Sequence, residues 1–161
     1  MKFDSQSTLN YWLTANSFRE AAHIVYKTPP KSVLPDSLCA LQHPIYFLAC
    51  RSIELGFKAF LRGHAYGESD FRKISHDLCK GSDEAIKMGI SQYFTLTPQE
   101  QRELKHVNDL YSKKDIEYPH GFAFDTVSVE HLLEVADRLL ATIKDYSSNT
   151  ESLHNHTSLA N

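Results

Sequence analysis

"SLCALQHPIYFLACRSIELGFKAFLRG", residues 37–63, is the stretch on which the fold turns. Tyr46, Ala49, Ile53, Phe57 and Phe60 step by three and four residues along one stripe, and Leu48, Leu55 and Ala59 make a second. Together they nearly encircle a helical axis. A helix that is apolar on several sides packs on several sides, so this segment is predicted as the central helix of an all-α protein. Pro44 inside it marks either a kink or the true first turn.

The flanking segments carry helical spacing too. Tyr11, Ala15, Phe18, Ala22 and Val25 define a first helix that the run Thr28-Pro29-Pro30 ends. After the central helix, Phe71, Ile74, Leu78 and Ala85 fall on one stripe, which predicts a third helix with Gly89 as its stop. Thr97-Pro98-Gln99-Glu100 is a capping box with proline at the first helical position, opening a helix that runs to about Ser112. A last helix covers roughly Val127 to Tyr146, with Val129, Leu132, Leu133, Ala136, Leu139, Leu140 and Ile143 inward. No strand pattern competes. The expected fold is an antiparallel up-and-down helical bundle of four main helices plus an extra helix or short helical segment. Residues 3–147 are read as one domain and residues 148–161 as a disordered polar tail.

Composition narrows the function. The chain has 161 residues, 42% hydrophobic, enough for one core. Its formal net charge of −3, from 17 basic and 20 acidic residues, argues against coating nucleic acid through bulk charge and leaves only a local basic patch. Cys39, Cys50 and Cys79 lack the paired spacing of a structural zinc site and read as buried thiols in a reducing compartment. There is no leader pattern, and Arg51 cuts short the apolar run "IYFLAC", so no membrane span is expected and a cytoplasmic setting is. Neither a phosphate-cradling Gly-rich loop nor a cofactor signature is present.

Several polar groups stand out against this background. Arg51, Lys58 and Arg62 lie along one side of the central helix, lining either a solvated edge, a cleft or a dimer interface. Glu54 and Lys58 have the spacing and order of an intrahelical pair. His76-Asp77 reads as a helix start, with Ser75 as N-cap and Asp77 in the first turn, or, with Arg72, as part of a ligand cleft. The segment Tyr111 to Thr126 is long for a bundle connection and mixes Lys113, Lys114 and His120 with four aromatic residues, among them Tyr118. Such a mixture can stack bases and hold phosphates, or plug the end of a bundle. Gly121 is its expected pivot.

From Ser52 to Ile90 the sequence resembles the HEPN superfamily of small prokaryotic helical proteins. The resemblance is carried by Ile53, Glu54, Lys58 and Ala59 on the central helix, by His76-Asp77-Leu78 opening the next, and by "LYSKKDIEYP" at residues 110–119. It implies an antiparallel bundle, frequent homodimerisation, and roles in RNA cleavage, toxin or defence systems, or nucleotide-linked complexes. Active members resemble metal-independent ribonucleases with an Arg, a spacer of four to six residues and a His. In this chain Arg102 to His106 and Arg72 to His76 have only three intervening residues, and Lys114 to His120 has lysine where arginine is wanted. The expectation is therefore a non-catalytic interaction module associated with RNA, a nucleotide or a protein partner. The alternative is a ribonuclease using Arg102, His106 and His120. A third reading, a metal-dependent hydrolase of the HD class, would have to assemble His43, His76, Asp77 and Asp137. Arg51, Lys58, Arg62, Arg72, His76, Lys113, Lys114 and Tyr118 are the candidate ligand or RNA contacts. No metal and no cofactor are expected.

Overall fold

The computed structural model describes residues 5–28, 38–114 and 127–158. Its centre is the predicted one: α2 spans Leu38–Gly63, and every residue from Ser52 to Leu61 is buried. Because that helix has no solvent face along those turns, the others must surround it. The first helix, α1 (Ser5–Lys27), and the last, α6 (Val129–Ser158), pack on α2 and on each other. The remaining face of α2 receives α4 (Leu78–Lys87) and α5 (Pro98–Tyr111), linked by a 3-10 turn at Ile90–Gln92. Between α2 and α4 lies a seven-residue helix, α3 (Glu68–Ile74).

The chain alternates in direction. Trp12, His23 and Tyr26 of α1 bond to Leu140, Asp137 and Glu130 of α6, so the sequence positions rise on one helix as they fall on the other. Short α3 runs back along α2, ending with Ser75 beside Lys58 and His76 beside Glu54. Glu103 and Glu100 of α5 meet His131 and Arg138 of α6, again in opposite senses. The protein is an all-α, up-and-down bundle, and among the described residues there is no strand. None of the helices searched is long and apolar enough to cross a membrane.

Close packing has a local cause at Gly56. A β-carbon there would come within 2.8 Å of Leu139 and 3.2 Å of Leu140, so the missing side chain sets how near α6 approaches α2. At the opposite seam the Trp12 indole donates to the Leu140 carbonyl at 2.8 Å. The capping box opening α5 is present: the Glu100 amide donates to Thr97 Oγ1 at 3.2 Å and the Thr97 amide to Glu100 Oε2 at 2.7 Å.

Two boundaries differ from expectation. The single third helix is two, α3 and α4, broken at Ser75–Asp77. The central helix keeps its expected extent, beginning at Leu38 with Pro44 inside it. The last helix does not stop near Tyr146 but continues through Ser158, so the segment read as a disordered tail is helical as far as that residue. Most of the long connection, including Tyr118, His120 and Gly121, lies outside the described residues.

Candidate functional site

At the break between α3 and α4 a set of polar side chains converges on one carboxylate. Glu54, on the most buried part of α2, has a side-chain exposure of only 2%. It is not alone. Lys58, one turn on, donates to Oε1 at 2.6 Å; Arg51, one turn back, donates to Oε2 at 2.8 Å; and the Tyr111 hydroxyl, from the end of α5, donates to Oε2 at 2.5 Å. His76 Nδ1 stands 3.3 Å from both Glu54 Oε2 and an Arg51 nitrogen. A protonated Nδ1 donates to the carboxylate, and an unprotonated one accepts from the guanidinium. In both cases Nδ1 faces Glu54 and Arg51.

The electrostatics follow from this crowding. Burial pushes the Glu54 carboxyl up, but the donors Lys58, Tyr111 and Arg51 outweigh it and hold it below the usual carboxylate range. Burial and the facing Glu54 charge push the Tyr111 phenol well up, so it remains a donor. Burial works against the Arg51 charge too, yet Glu54 overrides it and raises the guanidinium further. Aromatic groups line the edge: Phe18 lies 6.0 Å under the Arg51 guanidinium, Phe47 is 6.2 Å from the Tyr111 ring, and His76 meets Tyr111 edge-on.

His76 and Asp77 have separate duties. Asp77 is the N-cap of α4, its carboxylate accepting the Lys80 amide at 3.0 Å. The expected N-cap, Ser75, is instead the last residue of the α3 end, because its φ of 56° places it outside any helix. Buried Asn108 of α5 completes the corner, donating to Asp77 Oδ1 at 3.1 Å and accepting the Leu78 amide at 2.7 Å.

Of the sequence-predicted contacts, the fold brings together Arg51, Lys58 and His76. Tyr118 lies outside the described residues, and the other described candidates stand elsewhere. Arg62 donates to the Tyr66 carbonyl at 3.0 Å and fastens the turn after α2. Arg72, Lys113 and Lys114 are exposed. Arg102 and His106 are exposed on the outer face of α5, with no hydrogen bond or ion pair to either among the described residues. Among the described residues no group of three or more His, Cys, Asp or Glu side chains could hold a metal ion. Asp77 caps a helix, Asp137 bonds to His23 at 3.0 Å and to Arg19 at 3.4 Å, and the His43 side chain lies outside the described residues. A separate cleft of about 440 Å³ between α4 and α5, walled by Phe57, Ile86, Ile90, Phe94 and Leu104, is mainly apolar and does not reach Glu54.

Sequence reasoning missed Tyr111 and Asn108. Both lie on the inward stripe of α5 with Leu104 and Val107, and a polar tip on such a stripe needs a buried partner. The chain matches no known family, no curated protein and no solved structure, so the site is interpreted from its geometry.

Proposed function

We propose that this chain is a HEPN-like helical-bundle module that holds RNA or nucleotide phosphates at the Arg51–His76 edge without cleaving them. The observation that carries this reading is the unequal division of groups around Glu54. Lys58 and Tyr111 are consumed inside, while Arg51 and His76 keep side-chain exposures of 28% and 43%. A guanidinium beside an imidazole suits phosphate oxygens, and half-buried Phe18 and Phe47 supply aromatic surface for a base. The Arg102–His106 pair does not support catalysis, since general acid–base work needs groups held in place by neighbours.

The reading extends to a homodimer in the reducing cytoplasm. Leu9, Leu13 and Ile24 are exposed on one outer face of α1, and Cys50 and Cys79 are free thiols.

One observation favours a second reading. A carboxylate behind an imidazole is how an acid–base histidine is oriented, and Glu54 stands behind His76 at 3.3 Å. Incubation with mixed RNA, with and without chelator, separates the two. The module retains RNA in a salt-dependent way, leaves it intact, and loses about 0.7 from the salt slope for each phosphate contact removed by Arg51→Ala or His76→Ala. Chelator-resistant cleavage lost in His76→Ala establishes the ribonuclease instead, and chelator-sensitive cleavage a metal-dependent hydrolase.

A further inference from the structure

Lys58 was a candidate ligand contact in the sequence, yet its side chain is only 11% exposed and its ammonium already has two acceptors. One is Glu54 Oε1 at 2.6 Å and the other is the main-chain carbonyl of Ser75 at 2.8 Å. The second bond is the informative one. Ser75 has φ 56° and ψ −131°, and the Asp77 amide donates to the Ile74 carbonyl at 3.2 Å, closing a four-residue turn. These angles belong to the first central position of a type II′ turn, which glycine fills because a β-carbon is crowded there. Here a serine fills it, so the local sequence does not favour the turn that forms.

Something else must hold it. The Ser75 hydroxyl makes no hydrogen bond among the described residues, and its amide donates to the Phe71 carbonyl at 2.8 Å, which only ends α3. The peptide joining Ser75 to His76 is held through its carbonyl, and Lys58 is the group that holds it. That peptide determines where the His76 ring begins. We propose that Lys58 is a positioning residue that acts through the Ser75 carbonyl: it fixes the turn in a glycine-type conformation and so aims His76 Nδ1 at Glu54 and Arg51. The inference rests on the reading of the Arg51–His76 edge as the contact surface, and it gives Lys58 no contact with the ligand.

The test uses nuclear magnetic resonance on the free protein, so that its result stands apart from any RNA measurement. In the unaltered protein a through-hydrogen-bond coupling is expected between Lys58 Nζ and the Ser75 carbonyl carbon, and the His76 ring nitrogens should show one dominant tautomer. Lys58→Met should bring the two His76 nitrogen resonances toward a common averaged position. Adding Ser75→Gly to Lys58→Met should separate them again, because glycine adopts the turn without being held. A purely electrostatic role, through the charge on Glu54, predicts no such rescue. Absence of the coupling, an unchanged His76 spectrum in Lys58→Met, or no rescue by Ser75→Gly each overturns the proposal. Should Lys58→Met fail to fold, the coupling in the unaltered protein decides the matter alone.

Discussion

Glu54 shows how one side chain can be both buried and charged. Its carboxylate accepts from Lys58, Arg51 and Tyr111, and each donor removes part of the cost of taking the charge out of water. Glu54→Gln leaves two cations without their partner and should destabilise the fold by about 3–5 kcal/mol in urea unfolding. Since the folded carboxyl titrates below its ordinary range, its contribution is complete above the unfolded value of about 4.3 and is lost as pH falls through the lower folded value. The difference between wild type and Glu54→Gln should therefore narrow in acid. Tyr111→Phe removes a single hydrogen bond to a charged group and should cost about 1.5–3 kcal/mol. The Glu54–Lys58 pair was legible from its spacing of four. Its burial was not, because the Tyr111 hydroxyl and the His76 ring, which close over the carboxylate, come from α5 and from the α3–α4 corner, far away in sequence.

Among elements, the break between α3 and α4 is the instructive failure of sequence reading. Phe71, Ile74 and Leu78 keep a helical stripe straight through it, and residues 75–77 contain neither glycine nor proline. The apolar pattern persists because both short helices bury the same stripe: Phe71, Ile74, Leu78 and Ala85 are all buried. What stops the helix is the Ser75 backbone together with the Asp77 cap, and only the latter has a local signature. Ser75→Gly should raise stability by about 1 kcal/mol, the relief of a strained residue (about 1–3 kcal/mol) less the entropy of a freer unfolded chain (about 0.4–1 kcal/mol). The start of α5 was fully legible, because a capping box is local chemistry, and Thr97→Ala should cost about 1 kcal/mol in thermal or urea unfolding. The seam between α5 and α6 depends on pH. Bonding to Glu103 raises the His131 pKa above 6.5, so its contribution is fully present below that value and lost as pH rises through the higher folded one. Melting temperatures of wild type and His131→Gln should differ at about pH 6 and converge by about pH 9.

For the whole molecule, the bundle was legible because its core helix advertises burial on all sides. How close the helices come was not legible, since it rests on one residue. Gly56→Ala would press a methyl group onto fully buried Leu139, and an overpacked seam of this kind should lose about 1–3 kcal/mol. Light scattering addresses the exposed α1 face: a mass that rises above 18.4 kDa with concentration is expected of the proposed dimer, and Leu13→Glu should return it to that value. The Trp12 indole, bonded across to Leu140, also makes the protein its own optical probe. It is the sole tryptophan, so the emission of the chain is the emission of the α1–α6 seam. Ellipticity, by contrast, sums over every helix. If α1 is one cooperative piece with the rest, the two signals will trace the same unfolding curve against denaturant; a fluorescence change that comes first would mean that α1 peels from α6 while the other helices remain folded.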